Sequence, residues 1–467
     1  MEYLIRFTQW HETFRLAEIQ ALATYLNIEL KIISYSDESP YCLVQLPSEE
    51  DARALMKRSI LAQSIHEHWA TADTWDDLHV AIKRDTAQWW PRYKQSSFKI
   101  NFDTYQGSRS SSKRKELIDS LAYLPFDGQI LMSSPEQEFT VFEEWEWDSV
   151  PKNIPNPLKV YFGRLISHSV RDLINIFDLK KRAYISTTSM DSELALVTAN
   201  IALAGPGKIF YDPFVGTGSF PIACAQFGAI GFGSDIDGRS VRGEGGKKSL
   251  KGNFQQYGLE KQIGDIFVCD LTNSPVRRAR ILDGIVCDPP YGVREGLRVL
   301  GCKDVEKFAN LVEKGKRTYK NPDFVPPKKP YSFTAMLDDI LNFASDTLVD
   351  NGRLSFWMPT ANDEELEIAV PIHPCLEIVV VCTQTFNKCR NTHAILLVWS
   401  MIDDLLGSRR LITYRRLPDS QVDRSAIALK KEQEKINGHT ADDLNAFRRA
   451  YFTGFKTETL AREATAN

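Results

Sequence analysis

Cys287-Asp288-Pro289-Pro290-Tyr291-Gly292 follows the short apolar run Ile281-Leu282-Asp283-Gly284-Ile285-Val286. The run reads as a buried strand. The two prolines then forbid both sheet and helix. Each lacks a backbone donor, and the residue before a proline is pushed out of the helical region. The chain therefore leaves the strand as a stiff loop that presents the Asp288 carboxylate, free backbone carbonyls and the flat Tyr291 ring. In an open α/β sheet such a loop lies where ligands bind, at the carboxyl ends of the strands.

Upstream of this turn the chain alternates strand and helix signals: strands at 208–212, 229–235 and 265–270, helices at 219–227 and up to Tyr257. That pattern predicts a parallel, doubly wound sheet. Downstream, a long loop from Gly292 to about Pro330 precedes a helix at 333–348 and a strand at 353–358. Two apolar strands, 376–383 and 394–400, close as a predicted hairpin.

Each early strand ends in residues that suit a nucleoside ligand. Asp212-Pro213-Phe214-Val215-Gly216-Thr217-Gly218 joins the first strand to a helix. Gly216 and Gly218 permit a tight turn and close approach to a ligand. The helix behind them offers free N–H groups and a positive dipole end. A third glycine is absent, which disfavours a nicotinamide cofactor. Asp235, followed by Ile236 and Asp237, ends the second strand, where an acid can accept hydrogen bonds from both ribose hydroxyls. Asp270, followed by Leu271, ends the third strand and is a candidate for the adenine amine or a plain turn residue. A glycine loop and three strand-end turns of this kind recur together in amino-methyltransferases that use S-adenosylmethionine. Asp288 and the Pro289 carbonyl would accept the hydrogens of a base amine, with Pro290 stiffening the turn and Tyr291 stacking on the base.

The chain has 467 residues, 43% hydrophobic and 25% charged, with a net charge of −4. That length exceeds one core and predicts two or three domains. The charge balance gives no overall nucleic-acid signature, so any RNA contact must be a local basic patch. Arg294, Lys316, Arg317 and Lys320, just past the Asp288 turn, form the best-placed one. The eight cysteines contain no CxxC pair and sit mostly in apolar runs. The spacing of Cys375, Cys382 and Cys389 matches no usual zinc pattern, so no metal site is expected. The start of the sequence resembles a strand rather than a signal peptide, and no apolar run reaches membrane-spanning length. A cytoplasmic location is expected.

The N-terminal part reads as two small α+β units, 1–70 and 71–150. In the first, Ser48 caps a helix. Pro151, Pro155 and Pro157 stiffen a segment expected to be the main boundary, within a linker at 151–185. The methyltransferase-like domain is then expected at 186–418, with a polar tail containing one helix at 419–467.

Taken together, Asp212-Pro-Phe-Val-Gly-Thr-Gly-Ser-Phe, Gly233-Ser-Asp-Ile-Asp, Asp288-Pro-Pro-Tyr-Gly-Val-Arg-Glu, Thr188-Ser-Met-Asp, Tyr161-Phe-Gly-Arg and Phe447-Arg-Arg-Ala-Tyr-Phe resemble the catalytic subunits of eukaryotic tRNA guanosine N2-methyltransferases. The resemblance covers nearly the whole chain and is strongest from Tyr161 to Trp399. It implies a Rossmann-like S-adenosylmethionine-dependent methyltransferase domain, preceded by a ferredoxin-like unit and a THUMP RNA-binding domain. It further implies methylation of the guanosine at position 10 of tRNA, and a small zinc-binding activator subunit as heterodimer partner. Ile185-Ser186-Thr187 and Ser219 depart from the family pattern at positions that are usually more glycine-like. The Asp288 turn alone also permits a ribosomal RNA guanine or DNA adenine methyltransferase. A tRNA-binding scaffold is the alternative without catalysis.

Overall fold

The alternating apolar residues of the N-terminal part pair into one sheet. The computed structural model describes residues 1–244, 248–291, 297–301, 328–360, 369–385 and 408–429. They divide into two units, Met1–Leu173 and Ile174–Asn467.

In the first unit, β1 (Glu2–Phe7), β2 (Lys31–Ser34), β3 (Tyr41–Gln45), β4 (Ala62–Ala72), β5 (Phe98–Tyr105), β6 (Gln137–Glu144) and β7 (Lys159–His168) run in the order β2-β3-β1-β4-β7-β6-β5. Only β5 and β6 are parallel. Helices α1 (Glu12–Leu26), α2 (Glu49–Met56), α3 (Trp75–Asp85) and α4 (Ser111–Asp119) accompany them. Ser48 caps α2 as expected, its Oγ accepting from the Asp51 N–H at 3.1 Å. Trp69, Phe139 and Phe162 from the sheet pack with Leu78 and Ile82 of α3.

This sheet corrects the expected boundaries. β7 lies inside the segment 151–185 expected to be a linker, yet it is paired on both sides, by β4 and β6. Ion pairs hold the sheet together. Arg164 of β7 donates to Glu67 of β4 at 2.9 Å and to Glu49 of α2 at 2.7 Å. Arg6 of β1 meets Asp103 of β5 at 2.9 Å. The expected units 1–70 and 71–150 therefore share one sheet. The prolines at 151–157 only stiffen the connection from β6 to β7. The break falls between Leu173 and Ile174, within the single-turn α5 (Leu173–Ile176). Residues 129–132 form one bridge, Phe98 to Ile130, and not a strand.

The second unit contains β8 (Ile209–Asp212), β9 (Ile230–Asp235), β10 (Ile263–Val268), β11 (Leu282–Cys287), the separate antiparallel pair β12 (Arg298–Leu300) and β13 (Lys328–Pro330), and β14 (Leu348–Thr360), β15 (Leu376–Thr385) and β16 (Ser408–Arg416). Its large sheet has the order β10-β9-β8-β11-β14-β16-β15. The first five strands are parallel, and β16 runs antiparallel to both neighbours. This is the Rossmann-like layout closed by an antiparallel pair. The described partner of β15 is β16, whereas the predicted partner 394–400 lies outside the described residues. Helices α6 (Ser192–Ile201), α7 (Ser219–Gln226), α8 (Gly238–Arg242), α9 (Leu250–Gln256) and α10 (Phe333–Thr347) complete the unit. Met336, Leu337, Ile340, Leu341 and Phe343 of α10 pack on Ile285, Leu354, Phe356 and Tyr414. Each such side chain contributes about 1.5–3 kcal/mol by leaving water. The strand order reverses between β8 and β11, and the crevice at such a switch point is where open α/β sheets take their ligands.

Candidate active site

Because β8, β9, β10 and β11 are parallel, Asp212, Asp235, Asp270 and Asp288 all emerge at one edge of the sheet. β8 and β11 are neighbours, so the glycine loop and the Asp288 turn flank the switch point. Gly216 and Gly218 adopt φ of +47° and +86°, a region side chains disfavour. Gly218 caps α7, and a Cβ there would lie 3.0 Å from Leu250 Cγ. The loop is laid onto β9 by the Val215 N–H, which donates to the Ser234 carbonyl at 2.9 Å.

Asp235 is fixed by that loop. Its Oδ2 accepts from the Gly216 N–H at 3.0 Å and its Oδ1 from the Asp237 N–H at 2.8 Å. Asp237 caps α8 and holds Arg239, and its carboxyl lies below the usual range through the Arg239 hydrogen bond. The Ile236 carbonyl accepts from Lys328 Nζ at 2.9 Å. Asp212 is buried, and its Oδ1 accepts from the Phe214 N–H at 2.9 Å. Burial first, and then the nearby charges of Asp235 and Asp288, push its carboxyl well above the usual carboxylate range. Phe214 packs on the sheet core, and Pro213 starts the turn.

Asp270 is engaged more fully than the nucleoside role alone suggests. Its Oδ1 caps the turn at Leu271–Asn273, accepting from the Thr272 N–H at 2.9 Å. Its Oδ2 accepts from the Leu300 N–H at 2.6 Å. Leu271 is buried in the core.

At the acceptor turn Pro289 is buried, Pro290 is half-buried and Asp288 is half-buried. The Tyr291 hydroxyl donates to Asp288 Oδ1. Stacking by Tyr291, as the sequence suggested, thus requires the ring to release this carboxylate. Arg294, Lys316, Arg317 and Lys320 lie outside the described residues.

Further side chains build this edge. Arg182, buried, donates to Ser219 Oγ at 3.0 Å at the start of α7 and packs over Tyr257. Asn253 of α9 donates to the carbonyls of Tyr184 at 2.7 Å and Thr217 at 3.2 Å. Ser189 meets Thr217 Oγ1 at 2.7 Å, which places the Thr188–Asp191 motif against the glycine loop. Arg409 of β16 approaches Asp288 at 3.8 Å. No sequence spacing pointed to it, because β16 reaches Asp288 only through its place in the sheet.

No described helix is long and apolar enough to cross a membrane. Among the described residues no cluster of three His, Cys, Asp or Glu side chains could hold a metal ion.

The arrangement suits S-adenosylmethionine. Glycine backbone and a fixed acid at the next strand fit an adenosine ribose, and a crowd of carboxylates fits a ligand that brings positive charge. The sequence comparisons agree. The family description "Tmrp11 THUMP N-terminal domain" matches residues 1–171, and "RMKL-like, methyltransferase domain" matches residues 180–300. The chain is 43% identical over 393 residues to a tRNA (guanine(10)-N(2))-methyltransferase of Saccharomyces cerevisiae, covering 83% of this chain and 90% of that protein. A protein of the same name from Homo sapiens is 34% identical, covering 99% and 97%. TrmN from Thermus thermophilus, a solved structure, is 14% identical with a TM-score of 0.42, covering 89% of this chain and all of that one.

Proposed function

This chain belongs to the tRNA (guanine(10)-N(2))-methyltransferase family, and from that premise we propose that it moves a methyl group onto N2 of the guanosine at position 10 of tRNA. The observation that carries the reading is the Asp288 turn beside the glycine loop at the switch point of the sheet.

S-adenosylmethionine, when bound, supplies a methyl group on a positively charged sulfur, already a strong electrophile. Gly216 and Gly218 would leave room for it, and Asp235 would hold its ribose. The exocyclic amine of guanine is a poor nucleophile because its lone pair is delocalised into the ring, so positioning is the main demand. Asp288 and the Pro289 carbonyl accept the two amine hydrogens and direct the lone pair toward the methyl carbon. They also favour the positive charge that develops on nitrogen. The incoming amine displaces the Tyr291 hydroxyl from Asp288, and the freed ring stacks on the base. Asp288 then takes the surplus proton. A base inside a folded RNA must first be extruded to reach such a turn.

The THUMP-containing unit and the segment carrying Arg294, Lys316, Arg317 and Lys320 are the proposed RNA contacts. A small zinc-binding activator is the proposed partner, pairing along β10. That strand ends the sheet, and it bears Ile263, Ile266 and Phe267 half-buried and Val268 exposed. An apolar edge of this kind calls for a cover. Cytoplasmic location belongs to the same reading. The test is methyl transfer by the full chain, co-expressed with the activator, to purified tRNA, ribosomal RNA and DNA. Methylated guanosine in tRNA alone is expected. Transfer to DNA or ribosomal RNA instead refutes the substrate assignment, and transfer to none supports the scaffold.

A further inference from the structure

We propose that Arg409 is a positioning residue for the Asp288 acceptor turn. The inference rests on the reading of Asp288 given above and adds a residue to it. Arg409 sits on β16, paired in register with Gln384 of β15 and Pro359 of β14. Its guanidinium uses each direction of the fork differently. Nε donates to Gln384 Oε1 at 2.7 Å. Nη2 donates to Met190 Sδ at 3.4 Å. Nη1 stands 3.8 Å from Asp288 Oδ2. The flat face covers Trp357, with Cζ 4.5 Å from the ring centroid. Trp357 is itself fully buried and donates to Thr198 Oγ1 of α6 at 3.3 Å.

Two consequences follow from these distances. First, 3.8 Å is an ion-pair distance and too long for a hydrogen bond. Arg409 therefore supplies charge to Asp288 without taking one of its hydrogen bonds. The Asp288 charge also disturbs the Asp212 carboxyl, so a fixed cation beside Asp288 steadies the acceptor. Second, the fork joins parts that must keep register during transfer. Met190 precedes α6, and the adjacent Ser189 is bonded to Thr217 in the glycine loop. Arg409 thus links the acceptor turn to the segment that touches the loop, and anchors both to the sheet. A planar, preorganised fork stacked on an aromatic ring does this in full, and a lysine supplies only the charge.

The experiment is steady-state methylation of tRNA by the full chain, co-expressed with its proposed activator, comparing wild type, Arg409→Met, Arg409→Lys and Asp288→Ala. Arg409→Met keeps much of the packing on Trp357 and removes the charge. It is expected to lower kcat about ten- to a hundredfold, with KM for tRNA and calorimetric affinity for S-adenosylmethionine within about twofold. Arg409→Lys should recover part of that kcat. A KM increase with kcat unchanged would show that Arg409 grips RNA instead, and equal losses in the methionine and lysine variants would show a role in folding only. Either result overturns the inference, as does a wild-type kcat in Arg409→Met. If Arg409→Met does not fold, Gln384→Leu frees the fork from β15 and keeps the charge. A kcat-only loss of about threefold or more in that variant supports the inference, and an unchanged kcat overturns it. An active Asp288→Ala protein sinks the reading of the turn itself, whereas an inactive one beside a fully active Arg409→Met protein sinks this inference alone.

Discussion

The acids of Met1–Leu173 and Asp212 of the other unit sit in different surroundings. In Met1–Leu173, acids face cations or donors. Glu67 and Glu49 share Arg164, and Glu143 holds Arg109 at 3.1 Å together with the indole N–H groups of Trp75 and Trp145. Glu18, fully buried, accepts from Ser59 Oγ and from the Ile60 and Leu61 N–H groups. In Ile174–Asn467, Asp212 faces two further carboxylates. Saturated acids stiffen a scaffold, and one acid beside others describes a place prepared for a cationic ligand. Crowding of acids, rather than burial alone, marks the ligand side of the chain.

The contrast can be broken first in the N-terminal unit. Arg164→Ala leaves Glu67 buried beside no fork, a change that costs about 3–5 kcal/mol for a buried pair. Thermal melting should show that unit unfolding well below wild type. A melting curve matching wild type would make this network decorative. In the other unit, Asp288→Ala should leave melting near wild type and cut methyl transfer about 10²–10³-fold, with tRNA binding retained in a gel-shift assay. Near wild-type transfer would remove Asp288 from the mechanism.

Two smaller effects sharpen the difference. Gly218→Ala forces a side chain into a left-handed conformation against Leu250, at a cost of about 1–2 kcal/mol. Calorimetry should show weaker S-adenosylmethionine binding, and unchanged affinity would mean the loop is only packing. Asp212→Asn tests the sign of the charge crowding. A carboxyl raised on folding contributes stability that is fully present below the ordinary carboxylate range and lost as pH rises through its folded value. Asn keeps the acceptor for the Phe214 N–H and never ionises. Its melting temperature should match wild type in acid and exceed it increasingly as pH rises. Glu49 titrates in the opposite sense. Burial acts to raise it, but the hydrogen bonds from Arg53 and Arg164 outweigh that and hold it low, so its contribution fades on acidification. A melting gap for Asp212→Asn that widens toward acid would contradict the assignment.

How far the sequence could be read follows from the same physics. β8, β9 and β11 are buried parallel strands, so they stand out as short apolar runs, each ending in an acid that the parallel topology must bring to one edge. Fold class and the four strand-end acids were legible for that reason. β4 was not, because Ala-Gln-Ser-Ile-His-Glu-His-Trp buries His66 and Glu67, and Glu67 is tolerable there through donors that the folded sheet brings to it, the distant Arg164 and the Trp69 indole. β7 was hidden behind prolines that belong to the preceding connection. β16 was passed over for the more apolar 394–400. Its sequence, Ser-Arg-Arg-Leu-Ile-Thr-Tyr-Arg-Arg, buries Leu411, Ile412 and Tyr414 completely between flanking arginines. Losing that strand also lost Arg409, since its relation to Asp288 exists only once β16 is placed beside β14. Tyr291 was identified, but its bond to Asp288 is a feature of side-chain placement that no spacing encodes.

The most direct test of the account is an experimental structure of the full chain with S-adenosylhomocysteine bound. The ribose is expected on the Asp235 carboxylate, the ligand against the backbone of Gly216 and Gly218, and the sulfur directed at the Asp288 turn. A ligand seated elsewhere, or one whose sulfur points away from Asp288, would contradict it.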